Sequence, residues 1–498
     1  MSLLYIRLAR ILNIHILQRL QAQLGSGAMS FFIRKGGGSN FVAGKKRKAA
    51  VEKKKAKKAR PEDEEIDSDG SDIEVRDDAG YESEEDIETA EEKRLRLAKL
   101  YLGEVEKELL ERQGGEGDTA AGVEERLRED VDAERGKLRK QFASRMTDLD
   151  GATIKSHGDR VHKLSLTCLV VSPDSRLVYS GSKDAGLLVW ELGSGRKVHR
   201  VPGGRKGQES YHQGHCTAVM ALAVSSDGEL LASGDLGKNI HVWSTAGDKL
   251  AKLHTFLGHR DAVSALKFRR GTHTLYSASW DRSVKIWSVD ERAYVETLFG
   301  HQDKICGLDA GSRERCVTAG GRDGSARVWK IVEESQLVFN GPQTSIDAIS
   351  LLNEEHWVTG GEDGHLAVWG IHKKKPLCVV QHSHGLDPAN SQPHWVSALA
   401  TRYNTDTVVT GSRDGAVRVW MVGEGFRSLV QVGSVAVVGF VNSLAVSGCG
   451  GWLVMGVGQE HRLGRWWREA GAKNKLLMLP IPEPVVEVAQ EEEEQGEF

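Results

Sequence analysis

The sequence predicts an all-β fold, a seven-bladed β-propeller, preceded by a disordered charged tail and two helices. Three registers predict it. Tryptophans close a repeating unit at Trp190, Trp243, Trp287, Trp329, Trp369, Trp420 and Trp466, 40 to 53 residues apart, which is the period of a propeller blade. Six residues before these stand the acids Asp184, Asp281, Asp323, Asp363, Asp414 and Glu460, with Gly237 the exception. His162, His215, His259 and His301 each lie 28 residues before a tryptophan; blade five has Gly341-Pro342 there, and blade six has His394 at 26.

The unit at residues 259–287 shows the chemistry of the repeat. An apolar run (Val263, Ala265, Leu266, Phe268) is followed by a turn and a second run ending Ser277-Ala278-Ser279. A tight turn carries Asp281, a third strand closes on Trp287, and residues 295–298 form a fourth. A turn aspartate accepts backbone N–H groups, while an imidazole both donates and accepts. His259, Ser277, Asp281 and the Trp287 N–H can therefore link into one buried chain. Asp184, Asp281, Asp323, Asp363 and Asp414 accordingly read as structural blade turns, not as catalytic or metal-ligating groups. With Pro342 in place of a histidine, the staple of blade five is expected to be incomplete.

Of the 498 residues, one propeller absorbs about 330. The predicted organisation is a disordered tail over residues 1–86, basic then acidic, a helical segment over 87–145, the propeller over 150–480 and an acidic tail over 481–498. Six cysteines are scattered among predicted strands with no C-x-x-C spacing and read as reduced core residues of an intracellular protein. No apolar run reaches membrane-spanning length, so no membrane partner is expected.

The net charge of -3 hides a segregation. Residues 45–60 hold ten Lys or Arg against Glu52 alone, and residues 62–86 hold fourteen acids. Such blocks cannot bury a core. Lys45, Lys46, Arg47, Lys48, Lys53, Lys54, Lys55, Lys57 and Lys58 have the two-cluster spacing of a nuclear import signal; resting on phosphates and a merely solvated charge run are the other readings. Ser71 and Ser83 each precede an acid by three residues, as an acid-directed kinase requires. Residues 1–28 resemble an amphipathic transit peptide, but the sequence from Met29 reads as a second start, so they are taken as an upstream extension. One helix is expected from Thr89 to Gly114 and another from Val123 to Phe142, both polar enough to need a partner or the propeller's flank.

Within the propeller, inserts at residues 202–212 and 373–393 interrupt the repeats, and inserts of this kind map to one face. The second contains His382 and His384, a spacing too sparse to specify a metal site. Blade seven lacks its Gly-His, and its closure is expected from a strand near residues 152–155 that precedes blade one. Arg462, Arg465, Trp467 and Arg468 set guanidinium groups beside an indole, a mix that suits phosphate pairing and base stacking, while Trp466 is assigned to the core. Arg269, Arg270, Arg282, Arg322 and Arg413 recur in loops or beside the turn acids and extend the candidate RNA- or partner-binding set; ordinary surface charge is the other reading. The sequence contains no G-x-x-x-x-G-K-[ST], G-x-S-x-G or H-E-x-x-H motif, so no cofactor, catalytic residue or small-molecule substrate is expected.

The repeats resemble the WD40 family, although none of the seven tryptophans is followed by aspartate. Five stretches are similar to the WD-repeat family of the U3 small nucleolar ribonucleoprotein: EEKRLRLAKLYL (91–102), HRDAVSALKFRRGTH (259–273), YVETLFGHQD (294–303), GGRDGSARVWKIVEESQLVF (320–339) and VGQEHRLGRWWR (457–468). They span both the helical segment and the propeller. The resemblance implies a nucleolar, non-catalytic scaffold that binds the box B/C region of U3 small nucleolar RNA. Its implied partners are a kink-turn-binding core protein and other proteins of the small-subunit processome, and its implied role is to support ribosomal RNA processing. The rival class is a protein-only WD40 adaptor, a nuclear substrate receptor or chromatin reader, with an enzyme a distant third.

Overall fold

The computed structural model describes residues 90–113, 119–134 and, with short gaps, 137–482. The import-signal lysines, the acidic block, Ser71 and Ser83, and the end of the chain from residue 483 lie outside the described residues. Two helices precede the strands: α1, Ala90–Gln113, and α2, Thr119–Glu134. Among the described residues, no helix is long and apolar enough to cross a membrane.

Seven four-stranded antiparallel sheets follow. Blade three is representative, with strands Val263–Phe268, Thr274–Ser279, Ser283–Ser288 and Ala293–Phe299 in spatial order. The first strands of successive blades touch, and the first strand of blade one touches that of blade seven, so the ring is closed. In blade seven Phe440–Val446, Trp452–Gly458 and Lys475–Pro480 are joined by Lys155–His157 from before blade one, with Lys155 opposite Met478. That closing strand lies slightly later in the chain than the sequence suggested.

Apolar residues on both faces of each sheet bury against the neighbouring blades, so the core is distributed between blades. Between blades two and three it consists of Val242, Phe256, Val263, Leu266, Leu275 and Trp287, among others. The approach is close enough that a Cβ on Gly234 would lie 2.7 Å from Val263 Cγ1.

The second helix ends at Glu134, well before the expected Phe142. Tertiary contacts override the helical pattern there. The Phe142 and Ala143 N–H groups donate to Asp406 Oδ1 at 2.8 and 2.9 Å, and Lys140 bridges to Thr405. Phe142 and Met146 are buried with Val435, Leu453 and Leu479 of blades six and seven. This segment straps the seam between those two blades.

Candidate nucleic-acid interface

Topology assigns the loops to two faces. Turns between second and third strands share one face with the connections between blades, and the remaining turns lie on the other. Hydrogen-bonded staples organise the first face. In blade three His259 Nδ1 lies 2.9 Å from Asp281 Oδ2, His259 Nε2 lies 2.7 Å from Ser277 Oγ, and Trp287 Nε1 donates to the same Oγ at 2.8 Å. Asp281 also accepts the Arg260 and Ser283 N–H groups. Burial alone would raise the pKa of this carboxyl; the His259, Ser283 and backbone hydrogen bonds outweigh it and hold the group well below the usual carboxylate range. His301, Thr318, Asp323 and Trp329 repeat the arrangement in blade four. In blade one His162 keeps its bond to Ser180 at 3.1 Å but stands 3.8 Å from Asp184.

Three readings of the repeat need correction. In blade two the acid is Asp235, two residues before Gly237, at 2.9 Å from His215 Nδ1. In blade six the staple histidine is His384, not His394: it lies 2.9 Å from both Asp414 Oδ2 and Thr410 Oγ1. The expected insert also shortens, because residues Lys373–Val380 are a strand. Blade five keeps the expected gap in its staple, since Gln343 reaches the strand hydroxyl but not the turn acid. Gln343 accepts from Thr359 Oγ1 at 3.0 Å and donates to the His365 carbonyl, while Asp363 accepts from Thr344 N and Oγ1.

Blade seven departs most. Its third strand is Lys475–Pro480, and Leu479, opposite Leu453, takes the place that Trp287 holds opposite Leu275. Met455 stands where Ser277 does, so the hydrogen-bonded staple is replaced by buried apolar contact. Trp466 is not a core residue: it is 67% exposed, in the loop 459–474 between the second and third strands. The apolar run KLLMLP at residues 475–480 was the sequence signal for the true third strand.

The loop 459–474 is fixed at several points. Lys183 of blade one donates to the His461 and Gly464 carbonyls at 2.6 and 3.0 Å. Asn442 of blade seven bonds the Glu460 carbonyl and the Arg462 N–H. Trp467 packs edge-on against Trp395, centroids 5.1 Å apart, and the Arg413 guanidinium lies 4.4 Å above Trp467 while pairing with Asp387. These residues line a cleft with Phe440 and His461. Burial, reinforced by Arg462 and Lys183, lowers the His461 pKa to about 3, so its imidazole is neutral. Arg465 and Arg468 remain exposed beside Trp466, held by Glu460 Oε2 at 3.1 Å and Gln459 Oε1 at 3.3 Å.

The nine candidate residues therefore do not form one patch. Arg282 and Arg322 are exposed on the staple face, and Arg413, Arg462, Arg465, Trp467 and Arg468 lie around the blade-seven loop on that same face. Arg269 and Arg270 fall on the opposite face. Arg269 is tied to the Ser312 carbonyl and Glu314 at 2.9 and 2.7 Å, and Arg270 stacks 3.7 Å from the centre of the Tyr403 ring. His215, Asp235 and His241 bring possible metal-ligand atoms within 4.8 Å. However, both His215 nitrogens are bonded to Asp235 and Ser233, and His241 Nδ1 is bonded to Thr255.

Closed seven-bladed topology and histidine–aspartate staples define the class: a WD-repeat propeller. The WD domain, G-beta repeat model matches residues 152–191, 207–244, 250–288, 292–330 and 388–421, leaving out blades five and seven, where the histidine staple is absent. Human U3 small nucleolar RNA-interacting protein 2 is 51% identical over 399 residues, covering 79% of this chain and 82% of the relative. Ribosomal RNA-processing protein 9 of Saccharomyces cerevisiae is 26% identical over 533 residues, covering 82% of this chain and 92% of its own. The solved structure of U3-55K superimposes with a TM-score of 0.64 at 53% identity, covering 67% of this chain and 99% of that one. Within the WD-repeat class, this chain belongs to the U3 small nucleolar RNA-interacting protein 2 family.

Proposed function

We propose that the chain is a non-catalytic RNA- and protein-binding scaffold of the U3 small nucleolar ribonucleoprotein. In this reading it binds U3 small nucleolar RNA and supports precursor ribosomal RNA processing for the small ribosomal subunit, in the nucleus and nucleolus. The observation that carries it is the rigidly anchored loop 459–474, which displays Arg465, Trp466 and Arg468 to solvent on the staple face. Guanidinium groups beside an open indole offer phosphate pairing and base stacking to structured RNA with splayed bases. Family membership with relatives named for U3 RNA and for ribosomal RNA processing supports the choice of RNA.

The protein partners of this reading are a kink-turn-binding core protein and other small-subunit processome proteins. Leu257 and Phe299 are 69% and 73% exposed at the ends of the outer strands of blades two and three, and they offer apolar contact away from the blade-seven loop. A scaffold role agrees with the staples, whose titratable groups are spent on one another. Immunoprecipitation of the protein followed by probing for U3 RNA tests the proposal: enrichment of U3 is expected, and its absence would leave a protein-only adaptor as the reading.

A further inference from the structure

Arg462 lies among the candidate RNA contacts in sequence but behaves differently in space. Its side chain leaves the blade-seven loop and crosses the mouth of the ring, where Nη2 donates to the Asp347 carbonyl of blade five at 2.9 Å. At its own backbone, the Arg462 N–H donates to Asn442 Oδ1 at 2.9 Å. Residue 462 is thus held at both ends, by blade seven and by the blade two positions round the ring.

The guanidinium is also felt by groups on three other blades. Its charge acts on Cys168 of blade one, Cys306 of blade four and Asp347 of blade five, all at the starts of inner strands. Burial raises the Asp347 carboxyl pKa, and Arg462 opposes that shift. The Arg462 Nε is itself buried without a hydrogen-bond partner. Arg462 thus spends Nη2 on the protein and has Nε shut away from solvent, whereas Arg465, with its side chain 64% exposed, has most of its surface open to a ligand.

We infer that Arg462 is a positioning residue: it pins the loop 459–474 across the ring mouth, so that Arg465, Trp466 and Arg468 are held ready for RNA, and does not itself contact phosphate. The inference rests on the RNA-binding reading above. Lys183 anchors one flank of the loop and Trp467 the other. Arg462 supplies the contact to a distant blade, which restricts tilting of the whole loop. Fixing a binding segment before the ligand arrives reduces the ordering cost of association.

The test compares Arg462→Met with the double variant Arg465→Ala/Arg468→Ala in the full chain, titrated with U3 RNA at several salt concentrations. Methionine preserves much of the apolar stem and removes the donors. Arg462→Met should weaken binding roughly tenfold with the slope of log affinity against log salt unchanged, because no phosphate contact is lost. Hydrogen exchange of residues 459–474 without RNA should rise in the same variant, provided its melting transition remains cooperative. Wild-type affinity, unchanged loop exchange, or a slope reduced by about one would each overturn the positioning role. If the double variant also keeps wild-type affinity and slope, the RNA reading itself fails, separately from the role of Arg462.

Discussion

Blades three and seven occupy equivalent places in one ring yet are held together by different chemistry. Blade three ties His259, Ser277, Asp281 and Trp287 into one buried chain, and its turn between second and third strands is only as long as that chain requires. Blade seven dispenses with the chain, fills the same volume with Leu453, Met455 and Leu479, and extends the corresponding turn into the loop 459–474. The difference teaches where function can be placed: a turn that carries the staple aspartate has its length fixed by the hydrogen bonds, whereas a turn freed from the staple can lengthen and carry cations.

The largest effect that would break this comparison lies with the tryptophans. Trp287→Ala removes a buried indole and its bond to Ser277 and should cost about 3 to 5 kcal/mol in denaturant unfolding. Trp466→Ala, at the position aligned with it by spacing, should change stability by less than about 0.5 kcal/mol, because the side chain is exposed. Similar losses from the two variants would contradict the assignment of Leu479 as the closing residue.

A smaller effect is expected at the staple itself. Asp281→Ala strands donors at His259, Arg260 and Ser283 and should lower stability by about 1 to 3 kcal/mol, read as a reduced melting temperature. An unchanged transition would remove the staple from the account of blade three.

The smallest effect is a pH dependence in blade seven. The His461 pKa falls from 6.5 to about 3 in the folded protein, chiefly by burial. Between those values the unfolded chain binds a proton that the folded chain does not, so the His461 contribution to stability is present above pH 6.5 and is lost as pH falls toward 3. Histidine-to-phenylalanine replacement at 461 should flatten part of the acid limb of a melting-temperature profile. A variant with the wild-type slope over that range would exclude His461 as a source of it.

The repeat was legible in the sequence where loop lengths are constant, as in blades three and four, since spacing from the tryptophan then reports position in the fold. It misled where the chain is lengthened between landmarks. In blade six, residues 385–397 intervene between His384 and the inner strand, so His394 falls near the expected spacing by chain length alone. In blade seven the long loop brought Trp466 close to the period and moved the apolar strand beyond it. Blade five is part of the legible set: Pro342 signals an open staple, and Gln343 there bonds Thr359 and the His365 carbonyl without reaching Asp363. The guanidinium–indole mixture of the candidate site was visible in order, but its division into pinned Arg462, packed Trp467 and exposed Arg465, Trp466 and Arg468 depends on contacts with blades one, five and six that adjacency in the chain does not encode.

The most direct test of the central claim, that the freed turn of blade seven carries an RNA-binding surface, is the salt dependence of U3 RNA binding by the wild-type chain and by Arg465→Ala/Arg468→Ala. The account predicts weaker binding and a log–log salt slope shallower by about one for each phosphate contact removed. Equal affinity and equal slope for the two proteins would contradict it.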